Sequence, residues 1–600
     1  MFFRESRCCF LILVTVCFLA GTALAWEPIP VEEDPLVRMP GSQHGTVDLE
    51  DPASCLGCHG TTEDQAGQGF DWKGSMMAQS ARDFLFWPTV VVAGQDSIWA
   101  TGTPNAVDLC ERCHFPEGWL EGRSDPTNAS LMTGSDYDGV HCDFCHTMSD
   151  PFFEAAHQGL REPGDAEGYW DETNASDTPS SAALAATYGA DLARSVEFDL
   201  FNGTAFFGED NQPVSEGYSE NGAGQFFMTG GGAKRGPFAD AKPLIHTAEY
   251  SRYTKSKYFC GTCHDVSNSV LANLEFAGTT PGDGETILPT ESESPSSYFH
   301  VERTFSEFML SDYGQDGGAP GVGPYAPDQF GTSMANNYIA RCQDCHMHDF
   351  SGKGAIVGEG PRRPDDSIEH PNSGQPSHTM AGGNMFVLSV LASTVEGSPN
   401  YDAVNAQLLR QGPAVLTLDL DAGLGVDPAA LLASVRHTEN MLHTAAEIQE
   451  LAYDEETGTL AFRLRNNTGH KLISGYPEGR RMFLNVRAYK NGELIHEVNP
   501  YDGEVGTLRG LDGVDGSPAL AANEAHEDGL VYEANMTSTL TGETKTFHFA
   551  LATGRYKDNR IPPKGFRIGE AEARLCEPVW QGTAVADYYT AAEYAGGYDD

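Results

Sequence analysis

Positive charge is what this chain has least of. Lys and Arg number 37 against 86 Asp and Glu, a formal net charge of −49. That deficit argues against nucleic acid and anionic membrane surfaces as partners, because both need a basic face. It suits a basic protein, a metal-ion partner or a high-salt habitat, alongside plain solubility. Long apolar runs are missing too: after residue 25 nothing approaches the roughly 20 apolar residues that a membrane span needs. Spare cysteine is the third shortage. Of 14 cysteines, Cys8, Cys9 and Cys17 fall near the N-terminus, ten fall in five short motifs, and Cys576 alone remains. No disulfide framework can be built outside those motifs.

The N-terminus reads as an export signal. Arg4 and Arg7 form a positive start, residues 8–21 (CCFLILVTVCFLAG) an apolar stretch, and Ala23-Leu24-Ala25 a small-x-small cleavage site. Residues 1–25 are expected to be removed, leaving Trp26 first. The apolar stretch is too short to span a bilayer, and no cysteine follows the cleavage site to carry a lipid. A periplasmic or extracellular protein is expected.

What the chain does have is one motif five times. It occurs as Cys55-Leu-Gly-Cys58-His59, Cys110-Glu-Arg-Cys113-His114, Cys142-Asp-Phe-Cys145-His146, Cys260-Gly-Thr-Cys263-His264 and Cys342-Gln-Asp-Cys345-His346. C-x-x-C-H is the attachment signature of c-type haem. Its two thiols add to the two vinyl groups of one porphyrin, so they must lie a porphyrin edge apart on a tight turn. The histidine after the second thiol is then held under the iron as axial ligand. Zinc knuckles and paired disulfides are the rival readings. A zinc ribbon does not need His after every second Cys, and a disulfide scaffold would not keep all its cysteines two apart. Five covalently bound haems are the expected cofactors, with His59, His114, His146, His264 and His346 as iron ligands.

The fold class expected is multidomain: a loop-rich, mainly α multihaem domain over 26–446, then an all-β sandwich-like domain over 447–600. Porphyrins can supply much of an apolar core, so the Gly-, Asp- and Pro-rich stretch from Cys55 to about His378 needs few long helices. Helices are expected at 76–86, at 180–193 and at 425–446, the last with Asp427 as N-cap and Pro428 first. The stretch 203–236 is Gly-rich and reads as a surface excursion. Period two then takes over. Leu460, Phe462 and Leu464 alternate inward, as do Met482, Leu484, Val486 and Ala488. Asn491-Gly492 marks a hairpin, and 544–552 alternates again. The last residues are loop-like, so the β-domain is expected to continue past Asp600.

Each iron has a second axial position, and fourteen further histidines could fill it. His470 lies in a Gly-bounded loop between strands, and His378 precedes an apolar helical run. His44, His157, His246 and His300 are further candidates. His348 is too near His346 to reach the opposite face of the same haem and would serve a neighbour, and His141 abuts Cys142. His437 and His443 fall on the expected helix, while His370, His496, His526 and His548 read as loop or strand residues. Met77 is the candidate methionine ligand, which would raise the potential of its haem.

At these residues the chain resembles the cytochrome c554 and hydroxylamine-oxidoreductase-like group of multihaem cytochromes. The resemblance rests on the five motifs and on Trp72-Lys-Gly-Ser75-Met76-Met77-Ala78. It rests further on Ser377-His378-Thr-Met-Ala-Gly-Gly-Asn384 and on Thr468-Gly-His470-Lys-Leu followed by Gly475-Tyr-Pro. It covers about 50–485 and implies His378 and His470 as distal ligands. In that group a histidine stands where Met77 stands here, so one haem would be His/Met or lack its usual ligand. The function implied is electron transfer along closely packed haems, with redox proteins as donor and acceptor. Further copies of the chain in a filament, or extracellular metal oxides, are other possible partners. The alternative is an oxidoreductase acting on a small nitrogen or sulfur compound at a five-coordinate haem. Pentahaem nitrite reductases carry C-x-x-C-K at that haem, whereas all five motifs here end in His.

Overall fold

Glycine and proline together make 100 of the 600 residues, and the helices between them are correspondingly short. The computed structural model describes residues 29–34, 37, 41–60, 67–150, 205, 208, 222–230, 232–238, 241, 243–268, 299–315, 317–334, 336–356, 362–364, 374–412, 418–511, 516–585 and 588. The export signal, the helix expected at 180–193 and part of the Gly-rich stretch 203–236 lie outside them. The helical framework runs α1 (Ala53–His59), α2 (Gln68–Gly74), α3 (Phe86–Thr101), α4 (Asp108–His114), α5 (Cys142–Thr147), α6 (Lys257–Gly261), α7 (Thr304–Leu310), α8 (Gln343–His346), α9 (Met385–Ser393) and α10 (Pro428–Ala445).

Helix α10 forms for the reason its sequence gives. The Asp427 carboxylate accepts the N–H groups of Ala429 and Ala430 at 3.0 and 3.2 Å, and Pro428 takes the first turn, where no N–H is needed. Its buried face meets α9 and α2, and Leu431 joins one core cluster with Val387, Leu388 and Leu391 of α9 and Trp87, Val90 and Ala93 of α3. Each such aliphatic side chain contributes about 1.5–3 kcal/mol on full burial. Helix α2 crosses α10 so closely that a Cβ on Gly74 would fall 2.3 Å from the Ala430 carbonyl oxygen.

The helix expected at 76–86 does not form. Ser75 is extended, and residues 76–79 turn into a 3-10 turn at Ser80–Arg82. The cause is competition for carbonyls. Met77 O accepts the Val140 N–H at 3.0 Å and the Ser80 hydroxyl at 2.9 Å. The helix starts later, where Asp83 Oδ1 accepts from the N–H groups of Leu85 and Phe86 at 2.8 and 3.3 Å.

Strands are short before residue 446. β1 (Ala233–Gly236) and β2 (Thr247–Tyr250) pair in parallel, and β3 (Val266–Asn268) and β4 (Phe299–Glu302) antiparallel. Beyond α10, β5 (Ala446–Asp454) and β6 (Thr459–Asn466) form a hairpin. β7 (Val486–Lys490) and β8 (Glu493–Val498) form another, with Asn491 and Gly492 at φ 54° and 85°, as a two-residue turn of this hand requires. A five-stranded sheet of β9 (Ala534–Ser538), β10 (Glu543–Thr546), β11 (Gly554–Asp558), β12 (Val579–Trp580) and β13 (Thr583–Ala584) has the order β10-β9-β11-β12-β13. The strand expected over 544–552 ends with β10, and Phe549–Leu551 is a 3-10 turn.

The alternation expected to point inward is thinly covered. Leu464 reaches a core of Ala445, Leu472 and Ile561, but Leu460 is 40% exposed, because the far end of the β5–β6 hairpin projects from the body. Buried contacts cross the 446/447 boundary. Leu551 joins Val31, Val37 and Ala100 in one cluster, and Asp312 N–H donates to the Lys564 carbonyl at 3.0 Å. Among the described residues no helix is long and apolar enough to cross a membrane.

Candidate functional site

Every cysteine and histidine of the five motifs lines one continuous cavity of about 1860 Å³. Single-ligand pockets run to roughly 1,000 Å³, so this space suits several large groups rather than one. The motifs reach it from α1, α4, α5, α6 and α8, the fourth beginning on α6 and leaving it after Gly261. Tight local turns present them. His264 N–H donates to Cys260 O and His346 N–H to Cys342 O, both at 3.0 Å, which folds each histidine back over its own cysteine pair.

Four motif histidines hold Nδ1 against a backbone carbonyl. The acceptors are Gly354 for His59 at 2.7 Å, Ser80 for His114 at 3.3 Å, Arg235 for His146 at 2.6 Å and Ala381 for His346 at 2.6 Å. A carbonyl only accepts, so Nδ1 carries the proton and Nε2 keeps its lone pair for a metal. Burial keeps three of these rings neutral: it pushes His114 and His346 down to about 4, and it lowers His146. The Phe86 ring stacks on His114 at 3.7 Å and 6°, fixing its rotation. His264 differs, because its Nδ1 lies 3.3 Å from Glu302 Oε1. Burial alone would lower this imidazole, but the hydrogen bond and charge of Glu302 raise it to about 9.

Three motif histidines face a second imidazole. His59 faces His246 with ring centroids 6.5 Å apart, His146 faces His378 at 6.4 Å, and His346 faces His470 at 6.3 Å. Two imidazoles bound through nitrogen to one ion at about 2 Å each, with roughly 1.2 Å from nitrogen to ring centroid, would sit about 6.4 Å apart. The second members also have Nδ1 near a carbonyl: Thr247 for His246, Pro376 for His378 and Lys471 for His470, at 3.2, 3.1 and 3.0 Å. Burial pushes His378 down to about 3.

Other candidates fall elsewhere. His44 is buried off the cavity, its Nε2 3.2 Å from Ser124 Oγ and its ring against Trp119 at 4.5 Å. His141 lines the cavity, but its Nε2 lies 2.9 Å from Glu117 Oε2. His348 lines the cavity against Phe330. Met77 lines it beside the turn through which Ser80 holds His114. His437, His443 and His496 are exposed, and His548 is bonded to Asp96 at 2.7 Å. His157, His370 and the His300 side chain lie outside the described residues.

The thiols of different motifs shift one another's titration. Cys55 is lowered by its hydrogen bond with Cys142, Cys113 by its bond with Cys263, and Cys342 by its bond with Cys260. Cys260 and Cys263 are raised well above the usual thiol range by those bonds, by burial, by their partners' charge and by the charge of Cys145. The ten motif cysteines thus share one cavity, close enough for those of different motifs to shift one another's titration.

These residues fit haem. Porphyrin supplies four of six iron ligands, so the chain need offer two, and facing imidazoles beside a C-x-x-C pair offer two. Among the described residues no group of three or more His, Cys, Asp or Glu converges as a bare metal ion would need. Buried Arg235, Arg341, Arg363 and Lys255 line the same cavity of an otherwise acidic chain, where Glu249 pairs with Arg235, Asp344 with Arg341 and Asp349 with Lys255, and the Phe238 ring lies under Arg363. Comparison with family models, with curated proteins and with solved structures found no match.

Sequence reasoning missed Glu302 and the residues that hold it. Its one signal is position: His264 opens the segment that leads into β3, and β3 pairs with β4, which ends at Glu302.

Proposed function

We propose that the chain is an exported pentahaem c-type cytochrome that carries electrons between redox partner proteins, or to an extracellular acceptor, and has no chemistry of its own on a substrate. The observation that carries this is the set of three imidazole pairs at axial separation around a cavity shared by all five motifs. Bound haem supplies a reversible one-electron site at each motif. The chain's residues do the rest. Carbonyl-anchored histidines would fix the axial field, and the one cavity lined by all five motifs would bring neighbouring haems together.

The test is the haem content and spectrum of the mature protein made with a c-type maturation system. Five haems per chain are expected, with at least three unaffected by carbon monoxide after dithionite reduction. Absence of haem bands would end this reading. The second reading, an oxidoreductase with one open iron, is favoured only at His264, which alone among the motif histidines pairs with a carboxylate. Carbon monoxide binding by about one haem would move the weight there.

A further inference from the structure

The fourth motif differs from the rest in what stands behind its histidine. A backbone carbonyl is a neutral acceptor. Glu302 places a carboxylate there instead, and the structure holds that carboxylate in place. Thr304 Oγ1 donates to Glu302 Oε1 at 2.7 Å, and Gly475 N–H donates to Thr304 Oγ1 at 3.0 Å. The Ser474 hydroxyl lies 2.6 Å from that of Thr304 and 2.8 Å from Glu307 Oε2. Glu307 is gripped in turn by Arg560 at 2.8 Å and by the Lys471 N–H at 3.1 Å, all with buried side chains. The chain of contacts from His264 therefore ends in a fixed charge cluster and not in solvent.

A carboxylate behind a ligating imidazole draws on its Nδ1 proton and makes Nε2 the stronger donor. A stronger donor favours the more positive, oxidised iron, and hydrogen bonding behind the ligand is one of the levers that set haem potential. Position adds the second point. All five motifs line one continuous cavity, so the fourth has other motifs as neighbours there.

We infer that Glu302 is a positioning residue that holds the reduction potential at the Cys260–Cys263–His264 site below what a neutral partner would give, so that the junction between motifs is a place electrons cross and do not rest. This depends on the pentahaem reading above.

The experiment is a potentiometric titration of the haem-loaded mature chain, with haem counted in each sample. Glu302→Gln is expected to retain five haems and to raise one of five one-electron waves by at least tenfold in its reduction equilibrium, 59 mV. Thr304→Val keeps the carboxylate and removes its hydroxyl donor, and it is expected to move the same wave down. A Glu302→Gln protein with five haems and unchanged potentials would overturn the inference, as would both variants moving the same way. If the Gln variant does not load, Thr304→Val decides alone: downward supports, unmoved or upward overturns. Fewer than five haems in the parent would instead sink the pentahaem reading.

Discussion

A histidine serves a metal well only when its other nitrogen is spoken for, and here that condition separates the histidines of this chain. His246 and His44 ranked alike in the sequence, both candidates with no motif around them. The fold gives His246 a carbonyl partner and a facing imidazole on the cavity, and it gives His44 a serine, two carboxylates and Trp119 away from it. In His246→Gln protein, reduced and exposed to carbon monoxide, one more haem equivalent is expected to bind the gas than in the parent. His44→Gln is expected to add none, and the reverse pattern would break the pairing. The five motifs were legible because the two thiols and the histidine of each are adjacent in sequence, as covalent haem attachment would require. His378 and His470 were legible through the segments around them. His246 was not separable from its rivals, because its partner His59 lies far away in the chain and only folding brings the two together.

At the scale of elements, local hydrogen bonding decides what could be read. Helix α10 was visible because its start is written in adjacent residues, Asp427 and Pro428. The false helix at 76–86 has good helical composition, but Val140, more than fifty residues on, takes the Met77 carbonyl. No local signal carries that. The loop after β6 shows the same limit. His470, Lys471 and Ser474 were visible as a loop, yet they take separate roles: facing His346, bonding Asp558 at 2.9 Å and backing Thr304. Asp427→Ala removes the cap and the Lys73 ion pair at 2.7 Å. Urea unfolding is expected to show a loss of about 1–2 kcal/mol. Gly74→Ala should cost about 1–3 kcal/mol, because the added methyl meets the α10 backbone. A neutral Gly74→Ala would contradict the close crossing of α2 and α10.

At the scale of the whole molecule, charge and connectivity matter most. A surface carrying −49 should draw cationic partners and repel anionic ones, and salt should weaken both effects. Reoxidation of the reduced protein by hexaammineruthenium(III) is therefore expected to slow as ionic strength rises, and reoxidation by ferricyanide to quicken. Identical salt responses would show that electrons leave through a site screened from the acidic surface. The small sheets and the contacts across residue 446 were beyond sequence reasoning, because alternating strands report a covered face without saying what covers it. The gathering of thiols from different motifs has a consequence for how such a chain is made. If the motifs carry haem and the chain is exported, a chain folded before attachment would hold ten thiols around one space in an oxidising compartment, where a disulfide between motifs would block two attachment sites at once. On the pentahaem reading, biogenesis then has a fixed order: thiols kept reduced, thioethers made on the open chain, and folding last.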